Sequence, residues 1–168
     1  MATLGGPMSE LWPYNLPIFR RAHRASSPDG RIVAEIEEAF ELGMSNPTCG
    51  TLKLSMGLQL DRCNPSFIWS EDSRYLAVPR YFVRFGLFRR QRMVVIDTLE
   101  RKAGASPEIA FYYQPESFSN GLLVVTKEPC FSAKSVTWRI PEELARFTSV
   151  ALGVAAQPVA ADGAARRR

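Results

Sequence analysis

The sequence has one histidine, His23, in 168 residues. Any Ser–His or Cys–His nucleophile system would have to use it. It stands in Arg20-Arg21-Ala22-His23-Arg24, where neighbouring cations disfavour its protonation, and it reads as a non-catalytic residue on the approach to a turn. Cysteine is also scarce. Cys49, Cys63 and Cys130 are an odd set with no CxxC pair, which argues against a secreted disulfide framework and against a zinc site of recognised spacing. They read as buried, reduced thiols, with a Cys49–Cys63 bridge across a hairpin as the alternative. No stretch approaches the roughly 18 apolar residues of a membrane span. The first twenty residues lack the basic start and apolar run of a secretory signal, so a cytoplasmic location with no membrane association is expected. There is no phosphate-binding glycine loop and no GxSxG elbow. No catalytic residue, metal or cofactor is therefore expected.

Charge is nearly balanced. The formal net charge is +4, and three of the positive charges come from Arg166, Arg167 and Arg168. A dedicated nucleic-acid binder concentrates more charge on its folded part. Hydrophobic residues make up 46% of the chain, which is enough for a core without staples.

Twelve prolines and eleven glycines punctuate the chain into short segments. Residues 1–20 form an arm that Trp12, Tyr14, Ile18 and Phe19 could pin to the body. Residues 21–153 form one β-rich domain, and 154–168 a disordered basic tail. Ser27-Pro28-Asp29-Gly30 is a turn in which Pro presets φ, Asp bonds its own backbone and Gly accepts positive φ. A strand follows from Arg31 and is preferred over a short helix through Glu37–Leu42. Asn46-Pro47 and Gly50 mark the next turn. Thr51 to Met56 alternates at period two, as a half-buried strand does. Phe67 to Val78 reads strand, polar turn, strand. Phe88 to Arg92 reads as a basic loop, Met93 to Asp97 as a buried strand, and Lys102 to Pro107 as a turn. Ile109 to Tyr113 reads as a strand, and Asn120-Gly121 as a hairpin turn between strands. Ser135 to Ile140 is one more strand. Pro141, with Glu142 and Glu143 behind it, opens a helix expected to run to about Leu152.

These segments repeat. Ser27, Asp29, Arg31 and Ala34 match Ser70, Asp72, Arg74 and Ala77 at one offset of 43 residues, and Asn120-Gly121 falls in the equivalent place 48 residues later. Such spacing suits propeller blades. Trp69-Ser70-Glu71-Asp72-Ser73-Arg74 resembles the strand–turn–strand signature of TolB-type and WD-repeat β-propellers. Ser27 to Arg31 is a fair match, and Ser117 to Gly121 a weak one. The resemblance implies a binding scaffold and carries no catalytic residue. Three units are too few to close a ring of at least about four blades. The expected fold is thus mostly β: an antiparallel curved sheet, or an incomplete propeller-like or sandwich arrangement, with one short C-terminal helix. Open sheet edges would need covering by the N-terminal arm, the C-terminal helix or a partner, which includes a homodimer formed through them.

Asp29 and Asp72 read as turn-formers rather than as acids for catalysis. Two surface features are candidate contacts. Arg80, Arg84, Arg89, Arg90 and Arg92 interleave with Tyr81, Phe82, Phe85 and Phe88, a composition shared by protein interfaces and single-strand nucleic-acid grooves. A solvated hairpin with its aromatics turned inward is the plainer alternative. Glu35, Glu37, Glu38 and Glu41 form an acidic patch that reads mostly as a solvated face. The expected function is a non-enzymatic module binding another protein, such as a toxin-neutralising inhibitor, with nucleic acid as the less favoured partner.

Overall fold

The computed structural model describes residues 24–41, 48–84, 88–129 and 132–154. The N-terminal arm, His23, the Asn46-Pro47 turn, Phe85, Cys130 and residues 155–168 lie outside them.

Thirteen strands are present among the described residues. β1 (Arg24–Ser26), β2 (Val33–Glu41), β3 (Thr48–Leu54) and β4 (Leu58–Cys63) form an antiparallel meander. β5 (Ile68–Trp69), β6 (Tyr75–Arg84), β7 (Phe88–Asp97) and β8 (Lys102–Ala105) form a second in the same order. The two meanders join where Cys63 pairs with Arg80. β9 (Tyr113–Ser119), β10 (Leu122–Lys127) and β11 (Lys134–Arg139) make a separate three-stranded sheet. The chain is therefore mostly β and antiparallel.

The repeat seen in the sequence is a repeat of pairing. Ala25 faces Ala34 and Ser26 faces Val33; shifted by the same offset, Ile68 faces Ala77 and Trp69 faces Leu76.

Burial explains the hydrophobic patterns. One core lies between the first meander and one face of the second, with Ile36, Leu52, Leu60, Phe67, Leu76, Val78, Val94 and Ile96 inside it. Another lies between the opposite face of the second meander and the β9–β11 sheet, with Ala77, Met93, Val95, Tyr113, Phe118, Leu123 and Trp138. The result is three layers. β6 and β7 are buried on both faces, so Leu76-Ala77-Val78 and Met93-Val94-Val95-Ile96 are unbroken apolar runs. β3 and β10, in the outer layers, alternate. The outer face of the first layer is charged and cross-strand paired, Arg24 with Glu35 and Lys53 with Glu37. The acidic patch is thereby partly neutralised within its own sheet. The Glu38 and Glu41 side chains lie outside the described residues.

Four sequence expectations are corrected. Phe88–Arg92 is not a loop: it is the first half of β7, in continuous register with β6 from Arg84↔Phe88 to Tyr75↔Asp97. Lys102–Ala105 is a strand rather than a turn. Its small residues mark close packing, since a Cβ on Gly104 would stand 2.8 Å from Cβ of Phe147. Ile109–Tyr112 is irregular, with one bridge from Ala110 to Gln91, and β9 begins only at Tyr113. The C-terminal helix is a single 3-10 segment, Glu142–Arg146. Its Pro141 N-cap makes no side-chain hydrogen bond, and the open edges of β8 and β4 offer the following residues better backbone partners. β12 (Thr148–Val150) pairs with β8, and β13 (Gly153–Val154) with β4. On the β11 edge, Arg139 N–H donates to Glu143 Oε2 (2.7 Å). The C-terminal segment thus touches all three layers, while β1 and β12 are the end strands of the larger sheet and β9 and β11 those of the smaller among the described residues.

Candidate functional site

The layers share two ends, and the turns gather at one of them. In the first turn, Ser27 Oγ and Arg31 N–H both donate to Asp29 Oδ1, and Ile32 N–H donates to Ser27 Oγ. In the second, Ser70 Oγ and Arg74 N–H donate to Asp72 Oδ1, and Tyr75 N–H donates to Ser70 Oγ. Gly30 and Ser73 take equivalent left-handed positions, φ +73° and +64°. Both aspartates are turn-formers, as expected. The Ser27 hydroxyl, then the Arg31 amide, hold the Asp29 carboxyl below its usual range.

The turns also hold one another. Asp29 N–H donates to Ser73 Oγ (3.0 Å). Glu71 N–H donates to the Phe118 carbonyl (3.1 Å), and Asn120 N–H to Glu71 Oε1 (2.8 Å). Behind the second turn, Arg74 grips Asp97 through Nη2–Oδ2 (2.7 Å) and Nε–Oδ2 (3.2 Å). Burial pushes the Asp97 carboxyl up, but the Arg74 guanidinium and the Leu99 and Glu100 amides outweigh it and hold the group below its usual range. This end is a scaffold.

The opposite end carries the arginine–aromatic hairpin. Its residues are not used alike. Arg80 is taken up by the fold, donating through Nη2 to Asp61 Oδ1 (2.6 Å) and through Nε to the Asp61 carbonyl (3.0 Å). Arg92 lies over the Phe82 ring at 5.2 Å, and Arg90 stacks on Phe111. The side chains of Arg84, Phe88 and Arg89 lie outside the described residues. Tyr81 is buried, and burial pushes its phenol up despite the hydrogen bond from Asn64.

Sequence reasoning missed the group at the hairpin base. Gln91, flanked by arginines, is fully buried. Its backbone bonds Ala110 in both directions, and its Oε1 accepts Tyr113 N–H (2.8 Å), so it fixes the irregular segment before β9. Glu128 closes the other side: its Oε1 accepts Phe111 N–H (2.8 Å) and its N–H donates to the Tyr112 carbonyl. Phe111, Tyr112, Glu128 and Ser132 line a cavity of about 560 Å³. Around this corner, Arg92 Nε and Glu128 Oε2 are buried without a hydrogen-bond partner among the described residues. Buried polar groups are normally satisfied, which sets the two apart. The only sequence signal was the polar Gln91 within an otherwise cationic run.

Among the described residues, no three His, Cys, Asp or Glu side chains converge to hold a metal. No disulfide joins Cys49 to Cys63; both are buried, and burial pushes the Cys63 thiol up. Among the described residues, no helix is long and apolar enough to cross a membrane. No model of a known protein family, no curated protein and no solved structure matches the chain.

Proposed function

We propose that this chain is a non-enzymatic, protein-binding module of the inhibitor or immunity-protein kind, which neutralises a bacterial toxin by tight binding in the cytoplasm. The carrying observation is the corner at the hairpin base. Arginines lie on aromatic faces there, beside a cavity, and the buried Arg92 Nε and Glu128 Oε2 have no partner among the described residues. Arginine and aromatic residues dominate interface hot spots, and an anchor residue entering a cavity would give those atoms their missing bonds. The unbridged Cys49 and Cys63 suit a reducing compartment. In this reading the stacked meanders are propeller-like units used as an open scaffold rather than a ring, with the outer charged face ending the stack. The end strands β1, β12, β9 and β11 are the edges through which a homodimer, the second reading of the partner, would pair.

The test is recovery of a partner from cell extract on immobilised chain, compared with the Arg90→Ala/Arg92→Ala variant. A single stoichiometric band lost in the variant supports the proposal; a band unaffected by it removes the hairpin from the interface. Binding to single-stranded DNA that weakens steeply with salt would favour the nucleic-acid reading instead.

A further inference from the structure

A second concavity lies at the turn end, where the second and third turns meet. It has a volume of about 330 Å³, and its lining includes Glu71, Asp72, Arg74, Tyr75, Phe118 and Pro141. The cleft is prebuilt, because Glu71 ties both turns together through its N–H and its Oε1. Tyr75 and Phe118 stack, with ring centroids 6.2 Å apart, and both are at least nine-tenths buried. Glu71 and Asp72 are exposed at the rim. Among the described residues of the lining, the one cation is Arg74, which is committed to Asp97 and lies over the Tyr75 ring at 4.9 Å. Within this lining, the Tyr75 hydroxyl is the buried polar side-chain atom left without a hydrogen-bond partner.

Carboxylates at the rim, the Phe118 ring below and the Tyr75 phenol oxygen lacking a donor share one complement. It is a compact cation that carries N–H groups. An anion would meet Glu71 and Asp72 with no uncommitted cation in the lining. We propose that this cleft binds an alkylammonium or guanidinium group. The group is a lysine or arginine side chain of a bound polypeptide, or a small free amine with the same head. The site is separate from the hairpin corner, and either can fail without the other.

The experiment is an NMR titration of the full chain with butylammonium, with agmatine and with a short Gly-Lys-Gly peptide, N-butylacetamide serving as the neutral control. Saturable shifts at Phe118, Asn120 and Gly121 with the cations and not with the control are expected, at affinities of about millimolar for groups of this size. Equal saturation by amine and peptide assigns a free amine; a peptide at least about tenfold tighter assigns a polypeptide side chain. Tyr75→Phe keeps the ring and should weaken binding about tenfold without lowering the melting temperature, since it deletes a buried hydroxyl that has no partner. Glu71→Gln keeps an oxygen for the Asn120 N–H and should weaken binding about threefold by removing the charge. Shifts of equal size with N-butylacetamide, no shift with any cation, or unchanged affinity in a stably folded Tyr75→Phe variant would each overturn the proposal.

Discussion

The β6–β7 ribbon joins two ends built on opposite terms. At the turn end, the turns' own oxygens and amides are paired within and between the turns, down to the Asp29 N–H on Ser73, and only the Tyr75 hydroxyl in the cleft between them lacks a partner among the described residues. At the hairpin end, Arg92 Nε and Glu128 Oε2 are buried without a partner among the described residues, beside stacked arginines. An unmade buried hydrogen bond costs about 1–3 kcal/mol, and in the proposed function a bound protein completes those of the hairpin end. The turns supply stability in this reading, and the hairpin end the main protein contact.

The largest effect on stability should come from the ribbon that joins the ends. Ile96→Ala, in the doubly buried β7, should cost about 3 kcal/mol in urea denaturation, and Thr137→Ala on an outer face less than about 0.5 kcal/mol. Similar costs at the two sites would break the three-layer description. Next comes the turn end. Arg74→Ala strands the buried Asp97 carboxylate and should cost about 2 kcal/mol, reduced from the fully buried case because Arg74 is partly exposed. Asp97→Asn sharpens this through pH. The Asp97 carboxyl is held below 3.8, so its stabilisation is complete above that value and is lost as pH falls through the lower folded-state value. The acid limb of the stability profile should therefore be shallower in Asp97→Asn than in the parent chain. Asp29→Ala and Asp72→Ala should each lower the denaturation midpoint, and by similar amounts, since the two turns make the same bonds. The smallest effect belongs to the hairpin end. Tyr113→Phe removes a buried hydroxyl bonded to Ser106 alone and should lower stability by no more than about 1 kcal/mol in thermal unfolding; a larger fall would mean that the hairpin end carries more of the stability than the turns do.

The same contrast explains what could be read from the sequence. The turn end was legible because its chemistry is local: Ser27, Asp29 and Gly30, and then Ser70, Asp72 and Ser73, close their bonds within five residues. The offset between the two turns was visible for the same reason. Layering was half legible. The run Met93–Ile96 announced a buried strand but not that two different sheets cover it. The hairpin end was least legible. Phe88–Arg92 carries no alternation and read as a loop, yet its strand pairing is set by β6 across the ribbon. Gln91 matters through Ala110 and Tyr113, about twenty residues away, which no local pattern encodes. The 3-10 segment replaced a helix for the same kind of reason, since β8 and β4 lie far upstream of the residues that pair with them.

One paired measurement bears most directly on this division of labour: thermal stability and partner recovery on two double variants of the full chain, Ser27→Ala/Asp29→Ala, outside the Glu71 cleft, and Arg90→Ala/Arg92→Ala. The turn-end variant should melt several degrees lower and still recover a stoichiometric partner below its melting temperature, while the hairpin-end variant keeps its melting temperature and loses the partner. The reverse pattern, with binding lost at the turns and stability lost at the hairpin, would contradict the account.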